Sequence, residues 1–171
     1  TDNDGNRTIN RISICGKSGR GWIFEFYTLT RNSENVMQIC MTGVEKASKT
    51  GNLDLLGILW IKTIDSSGKV QKIEGPALTM MKAEYKKAAA SLIVSTSGIQ
   101  NGGTVQVPAG VFKSTKTVKG ECSFLGKTYK STIWYHSSVP VTGMVKAVTN
   151  DKKYVTELIG FGLKGAGSFF R

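Results

Sequence analysis

Apolar residues recur along the chain at two different periods. Trp22–Thr30 (WIFEFYTLT) is dominated by aromatic and β-branched residues, the composition of a strand. The polar cluster Arg31-Asn32-Ser33-Glu34-Asn35 reads as a turn and Val36–Thr42 (VMQICMT) as the returning strand, with a helix over 34–47 as the less favoured alternative. Thr50-Gly51-Asn52 breaks the chain before a strand over Leu53–Ile64 (LDLLGILWIKTI), and Asp65-Ser66-Ser67-Gly68 turns it into another over Lys69–Ile73. After Gly75-Pro76 the period changes. Leu78, Met81, Tyr85, Ala88 and Leu92 recur every three or four residues, with Lys82, Glu84, Lys86 and Lys87 largely between them. That spacing predicts one amphipathic helix over 76–94, entered at a proline. Ser95–Gly103 reads as a loop. Beyond it the pattern predicts a meander of strands over Thr104–Val107, Val111–Phe124, Lys127–Ser137, Val141–Thr149 and Lys153–Phe161.

At 171 residues the chain has the length of a single domain. Residues 1–20 are a polar lead-in with a short strand over Ile12–Cys15, and 22–73 hold the N-terminal strands. The helix at 76–94 precedes the C-terminal meander at 104–161, and 162–171 form a Gly-rich tail, either a final turn or frayed. Leu53–Ile64 is apolar on both faces, as is most of Trp22–Leu29. Strands apolar on both faces need cover on both. The expected fold is therefore α+β and mostly β: a curved antiparallel sheet, an open half-barrel, with the helix over its concave face. Such a fold leaves an apolar cleft between helix and sheet. Trp22, Phe24, Trp60, Met81, Tyr85 and Trp134 are its candidate lining, unless side chains simply fill the space.

Charge points to the kind of partner. The net charge is +11, and it is uneven: residues 1–105 carry 13 basic and 9 acidic side chains (+4), residues 106–171 carry 10 and 3 (+7). Lysines dominate. An anionic membrane surface or polymer suits such an excess, and lysines spaced along strands also keep sheet edges solvated. Nucleic acid is not the favoured partner: the face carrying Lys130, Thr132 and Trp134 lacks an RNP-type motif, although aromatic and basic residues on one sheet could stack single-stranded bases.

Catalytic motifs fail one by one. Gly120-Glu121-Cys122-Ser123-Phe124-Leu125-Gly126-Lys127-Thr128 resembles a phosphate-binding loop, but five residues separate the glycines where four are required. A strand pattern, Thr128–Tyr135, then follows where a helix should open. His136 is the single histidine, placed at a strand end beside Ser137 and Ser138, and no GxSxG occurs. The acids are scattered singly, without metal or glycosidase spacing. Cys15, Cys40 and Cys122 form no CxxC and fit either three thiols or one bridge and one thiol. The sequence thus leads to a non-enzymatic protein with no cofactor and no metal.

Gln106–Phe112 (QVPAGVF), Ile133–Lys146 (IWYHSSVPVTGMVK), Glu157-Leu158 and a closing glycine carry a resemblance. The pattern resembles exported bacterial proteins of uncharacterised function and is similar to the lipoprotein-localisation (LolA/LolB-like) superfamily of open half-barrels. It covers about residues 104–161, and its motifs are turn chemistry: Pro108 and Gly110 launch one strand, Pro140 and Gly143 another. The resemblance implies a lipid or other hydrophobic ligand between sheet and helix. It also implies export to the periplasm or cell envelope, with a lipid anchor before trimming. A structural or protein-interaction module of the same fold is the alternative. The opening Thr1-Asp2-Asn3 carries no initiator Met, which fits a mature form.

Overall fold

Strand pairing divides the chain between two antiparallel sheets. The computed structural model describes residues 5–50, 52–64, 67–89, 98–124 and 127–170, without the side chains of 53, 84, 86–89, 121–124 and 127–129. The first sheet is built in sequence order from β1 (Ile9–Ser18), β2 (Gly21–Leu29), β3 (Glu34–Thr42), β4 (Gly57–Ile64) and β5 (Val70–Ile73). The second is built likewise from β6 (Gln100–Val107), β7 (Gly110–Phe124), β8 (Lys127–Tyr135), β9 (Met144–Thr149) and β10 (Val155–Glu157). Neither closes into a barrel. Among the described residues two helices, α1 (Val44–Thr50) and α2 (Gly75–Ala89), accompany them.

The sequence pattern favours one sheet, and pairing gives two because β5 and β6 do not pair. Hydrophobic period records which face is buried but not which strand lies alongside. The chain forms two compact units: residues 8–94 with 164–171, and residues 1–7 with 95–163.

In the first unit the register places Phe24, Ile39 and Ile61 side by side across β2, β3 and β4, with Met41 opposite Ile58. All five are buried. Each contributes about 1.5–3 kcal/mol by leaving water. Gly43, at φ +74°, ends β3, and α1 starts there, with the Ala47 N–H donating to the Gly43 carbonyl at 2.9 Å. Glu45 in its first turn and Lys49 in its last suit the helix dipole, and Ala47 is its buried contact.

Several expected boundaries move. The lead-in contains a ten-residue strand, β1, rather than a short one. Its alternation is masked by polar residues on one face and by a bulge between Ile14 and Gly16. Leu53–Leu55 is a 3₁₀ turn, not the start of β4. A second bulge follows, where Cys40 pairs Trp60 but Met41 pairs Ile58, so Leu59 is the extra residue. Residues 100–103, expected in a loop, belong to β6 despite two glycines. β9 starts at Met144 because 136–143 form a corner, and β10 covers only Val155–Glu157 of the expected 153–161. α2 starts where the periodicity places it, but residues 90–94 lie outside those described, as do the Asp65-Ser66 and Leu125-Gly126 turns. The hairpin flanking Leu125-Gly126 is present, with Phe124 paired to Lys127.

The second unit gathers Val105, Val107, Phe112, Val139 and Val145 into a core that Ala109, Trp134 and Leu158 border. Pro108-Ala109 makes the β6–β7 turn: Val107 pairs Gly110 across it, and the Ala109 N–H donates to the Leu158 carbonyl at 3.0 Å. Gly110 sits at φ +131°, with open space where a Cβ would stand. Gly110→Val should therefore cost about 1–2 kcal/mol through backbone strain alone, read as a lowered urea midpoint with unchanged ligand binding.

Candidate functional site

The six aromatic and methionine residues proposed from sequence are spread over both faces of the first sheet, α2 and the second unit. Trp22 and Phe24 alternate along β2 and share the face that carries Ile39, Met41 and Ile61. Phe24 is buried and Trp22 half-buried, with the Lys17 ammonium 4.1 Å from the Trp22 ring centroid. Trp60 pairs with Cys40 and so lies on the opposite face. There it carries Lys62 and Lys72 at 5.4 and 6.0 Å. Met81 and Tyr85 share a stripe of α2 with Leu78, and α2 packs against β4 in the same unit. Leu78 is buried and Tyr85 half-buried, but Met81 is 40% exposed and Met80 88%. Trp134 belongs to the core border of the second unit.

The Pro140–Gly143 corner is more than a turn. The Thr142 N–H donates to the Pro140 carbonyl at 2.9 Å, closing a three-residue turn around Val141 at φ +68°. A β-branched residue in that region is strained. The corner is tied by His136, whose N–H donates to the Gly143 carbonyl at 2.8 Å and whose carbonyl accepts from Val139 at 3.1 Å. The His136 Nδ1 accepts the Ser138 main-chain N–H at 3.2 Å, and the Ser138 hydroxyl lies 2.7 Å from the same nitrogen. Serine and histidine therefore meet, because the strand ends at Tyr135 and the chain turns at 136. The contact caps the corner. Among the described residues no carboxylate reaches the other ring nitrogen to complete a nucleophilic triad.

The site that sequence reasoning missed lies on the polar-lined face of the first sheet. Glu25 and Gln38 are paired across β2 and β3. Glu25 is 1% exposed and Gln38 also buried. Its Oε2 accepts from Gln38 Nε2 at 3.0 Å, from the Ser168 hydroxyl at 2.9 Å and from the Phe169 N–H at 3.1 Å. Its Oε1 has no hydrogen-bond partner and faces Arg11 Nη2 at 3.6 Å. Gln38 Nε2 also donates to Ser168 Oγ at 2.7 Å. The Phe169 ring stacks on Tyr27 with centroids 5.1 Å apart and planes 6° from parallel, and the Arg11 guanidinium lies 4.7 Å from that ring and 5.4 Å from Tyr27. One signal was present: a lone Glu inside WIFEFYTLT and a lone Gln inside VMQICMT, each polar where its strand is otherwise apolar.

Cys15 and Cys40 are free thiols. Burial raises the Cys15 pKa, the Glu25 carboxylate raises it further and Arg11 partly offsets this. Burial alone raises that of Cys40. Both stay protonated at neutral pH and are poor nucleophiles. The side chain of Cys122 lies outside those described. No group of three metal-ligating side chains forms among the described residues, and no described helix is long and apolar enough to cross a membrane.

No protein-family model matches the chain, and no curated protein or solved structure is significantly similar to it.

Proposed function

We propose that the chain is a non-enzymatic cell-envelope protein that binds a lipid or other hydrophobic ligand, with α2 as one wall over an open, curved sheet. The observation that supports this reading is the incomplete cover of α2. The stripe that the sequence assigns to packing buries Leu78 but leaves Met81 40% exposed, and Met80 is almost fully exposed. Thioether side chains adapt to ligands of irregular shape, and exposed apolar helix surface marks binding sites. Trp22 and Phe24 lie on the apolar face of the same unit's sheet, whereas Trp60 is on its other face and Trp134 belongs to the second unit, so the proposed lining narrows to Trp22, Phe24, Met81 and Tyr85. Lysine excess would favour anionic head groups.

Titration with cis-parinaric acid tests this. Saturable binding is expected, and Met81→Asp should weaken it at least tenfold with an unchanged melting temperature. Lipid-free protein in native mass spectrometry together with no saturable parinarate binding would sink the proposal. The alternative, an interaction module without a ligand, is favoured by Ile159, Phe161 and Leu163, three exposed apolar side chains close together in the segment after β10.

A further inference from the structure

We propose that the β1–β3 face around Glu25 is a recognition site for a peptide bearing a serine followed by an aromatic residue, and that this chain's own Ser168–Phe170, turned by the Phe170 N–H donating to Ser168 Oγ at 3.0 Å, occupies it as a plug. Three features of the occupant are read separately. The carboxylate Oε2 takes the serine hydroxyl and the next main-chain N–H together, at 2.9 and 3.1 Å. That chelate fixes a hydroxyl-bearing residue and its direction of travel along the face. Gln38 Nε2 adds a second contact to the hydroxyl at 2.7 Å. The aromatic ring that follows stacks parallel on Tyr27 at 5.1 Å, and the Arg11 guanidinium sits beside both rings, 4.7 Å from Phe169 and 5.4 Å from Tyr27.

The receptor side is built for this. Glu25 is buried on a strand, its neighbour Gln38 is paired to it by register, and its second oxygen remains without a hydrogen bond. A carboxylate is costly at such a position unless donors come to it, and two of Oε2's three donors are supplied by the occupant. The segment leading to the occupant is little packed. Residues 161–167 are all exposed, and Gly165 and Gly167 flank Ala166 just before the anchored serine. Phe169 itself is 43% exposed. Nothing in the contacts depends on the segment belonging to the same chain, so a peptide of like chemistry competes for the same groups, and covalent attachment gives the plug its advantage.

The test uses the full chain and a blocked, fluorescently labelled peptide of Gly165–Phe170. The Ser168→Ala/Phe169→Ala chain, whose plug is weakened but whose receptor groups are intact, is expected to bind the peptide at least tenfold more tightly than the unaltered chain in anisotropy titrations. Peptides carrying alanine in place of the serine, or of the first phenylalanine, should each bind at least tenfold more weakly. These comparisons leave the receptor face untouched, so they do not depend on a folding-sensitive variant. Three results overturn the proposal: no saturable binding to the plug-weakened chain, equal affinity for the plugged and unplugged chains, or affinity indifferent to the serine and the phenylalanine. Parinarate binding, which concerns α2, is expected to be unchanged throughout.

Discussion

Glu25→Ala is expected to destabilise the first unit by about 3 kcal/mol, while Glu25→Gln costs about 1–2. The carboxylate is nearly inaccessible to water and accepts from Gln38, Ser168 and the Phe169 main chain through one oxygen. Alanine removes the acceptor and leaves the buried Gln38 amide with one donor contact fewer. It also leaves Arg11 without its ion-pair partner. That last loss is small, because the Arg11 side chain is half exposed and already solvated. Glutamine keeps the shape and one acceptor oxygen, so most of the network survives. Urea unfolding followed by tryptophan fluorescence reads the difference. A Trp134→Phe background confines the signal to Trp22 and Trp60, both in the unit concerned, and avoids averaging the signals of two compact units. A loss below about 1 kcal/mol for alanine, or equal losses for alanine and glutamine, would remove the network from the account of stability.

Gly43→Ala should be at least as damaging, at about 3 kcal/mol, and the cause is different. The residue sits at φ +74°, and a Cβ there would overlap the main-chain carbonyl oxygen of Leu55. Main-chain atoms cannot rotate aside as a flexible side chain can. The overlap must be relieved by shifting the 3₁₀ turn, which carries the buried Leu56 with it. Left-handed backbone costs a non-glycine residue about 1 kcal/mol alone, and displacement of packed structure adds the rest. Gly110→Ala is the internal control. It also has a positive φ, but open space surrounds the added methyl group, so only about 1 kcal/mol is expected. If thermal melts show equal losses at both sites, the close approach to Leu55 does not matter.

The strands and α2 were largely legible because each obeys one period over many residues. Trp22–Thr30, Val36–Thr42 and the paired arms of β7 and β8 fall where composition puts them. What was not legible came from pairing and from distance. A bulge at Leu59 reverses the face of Trp60 relative to a strict alternation, and this separates it from Trp22 and Phe24. No pattern within Leu53–Ile64 encodes a bulge, because a bulge depends on the partner strand. The corner at 136–143 was signalled by Pro140 and Gly143, but its strained residue, Val141, favours strand on propensity. The Glu25 site was visible in half: lone polar residues in two apolar strands mark a buried polar cluster, yet the Gly-rich tail offers no local hint that it docks there.

The partners in that cluster stand 143 and 144 positions apart in the chain, which sets an order of events during synthesis. At roughly 5–20 residues per second, the strand carrying Glu25 emerges about 7–30 seconds before the serine that satisfies it. Throughout that interval the second meander is being made and can fold on local contacts alone, whereas the first sheet holds an acid short of its donors. The unit that is translated first is thus the one completed last. A released chain ending before residue 164 would hold every strand of the C-terminal meander, while its N-terminal sheet would lack the two donors that Ser168 and Phe169 bring to Glu25.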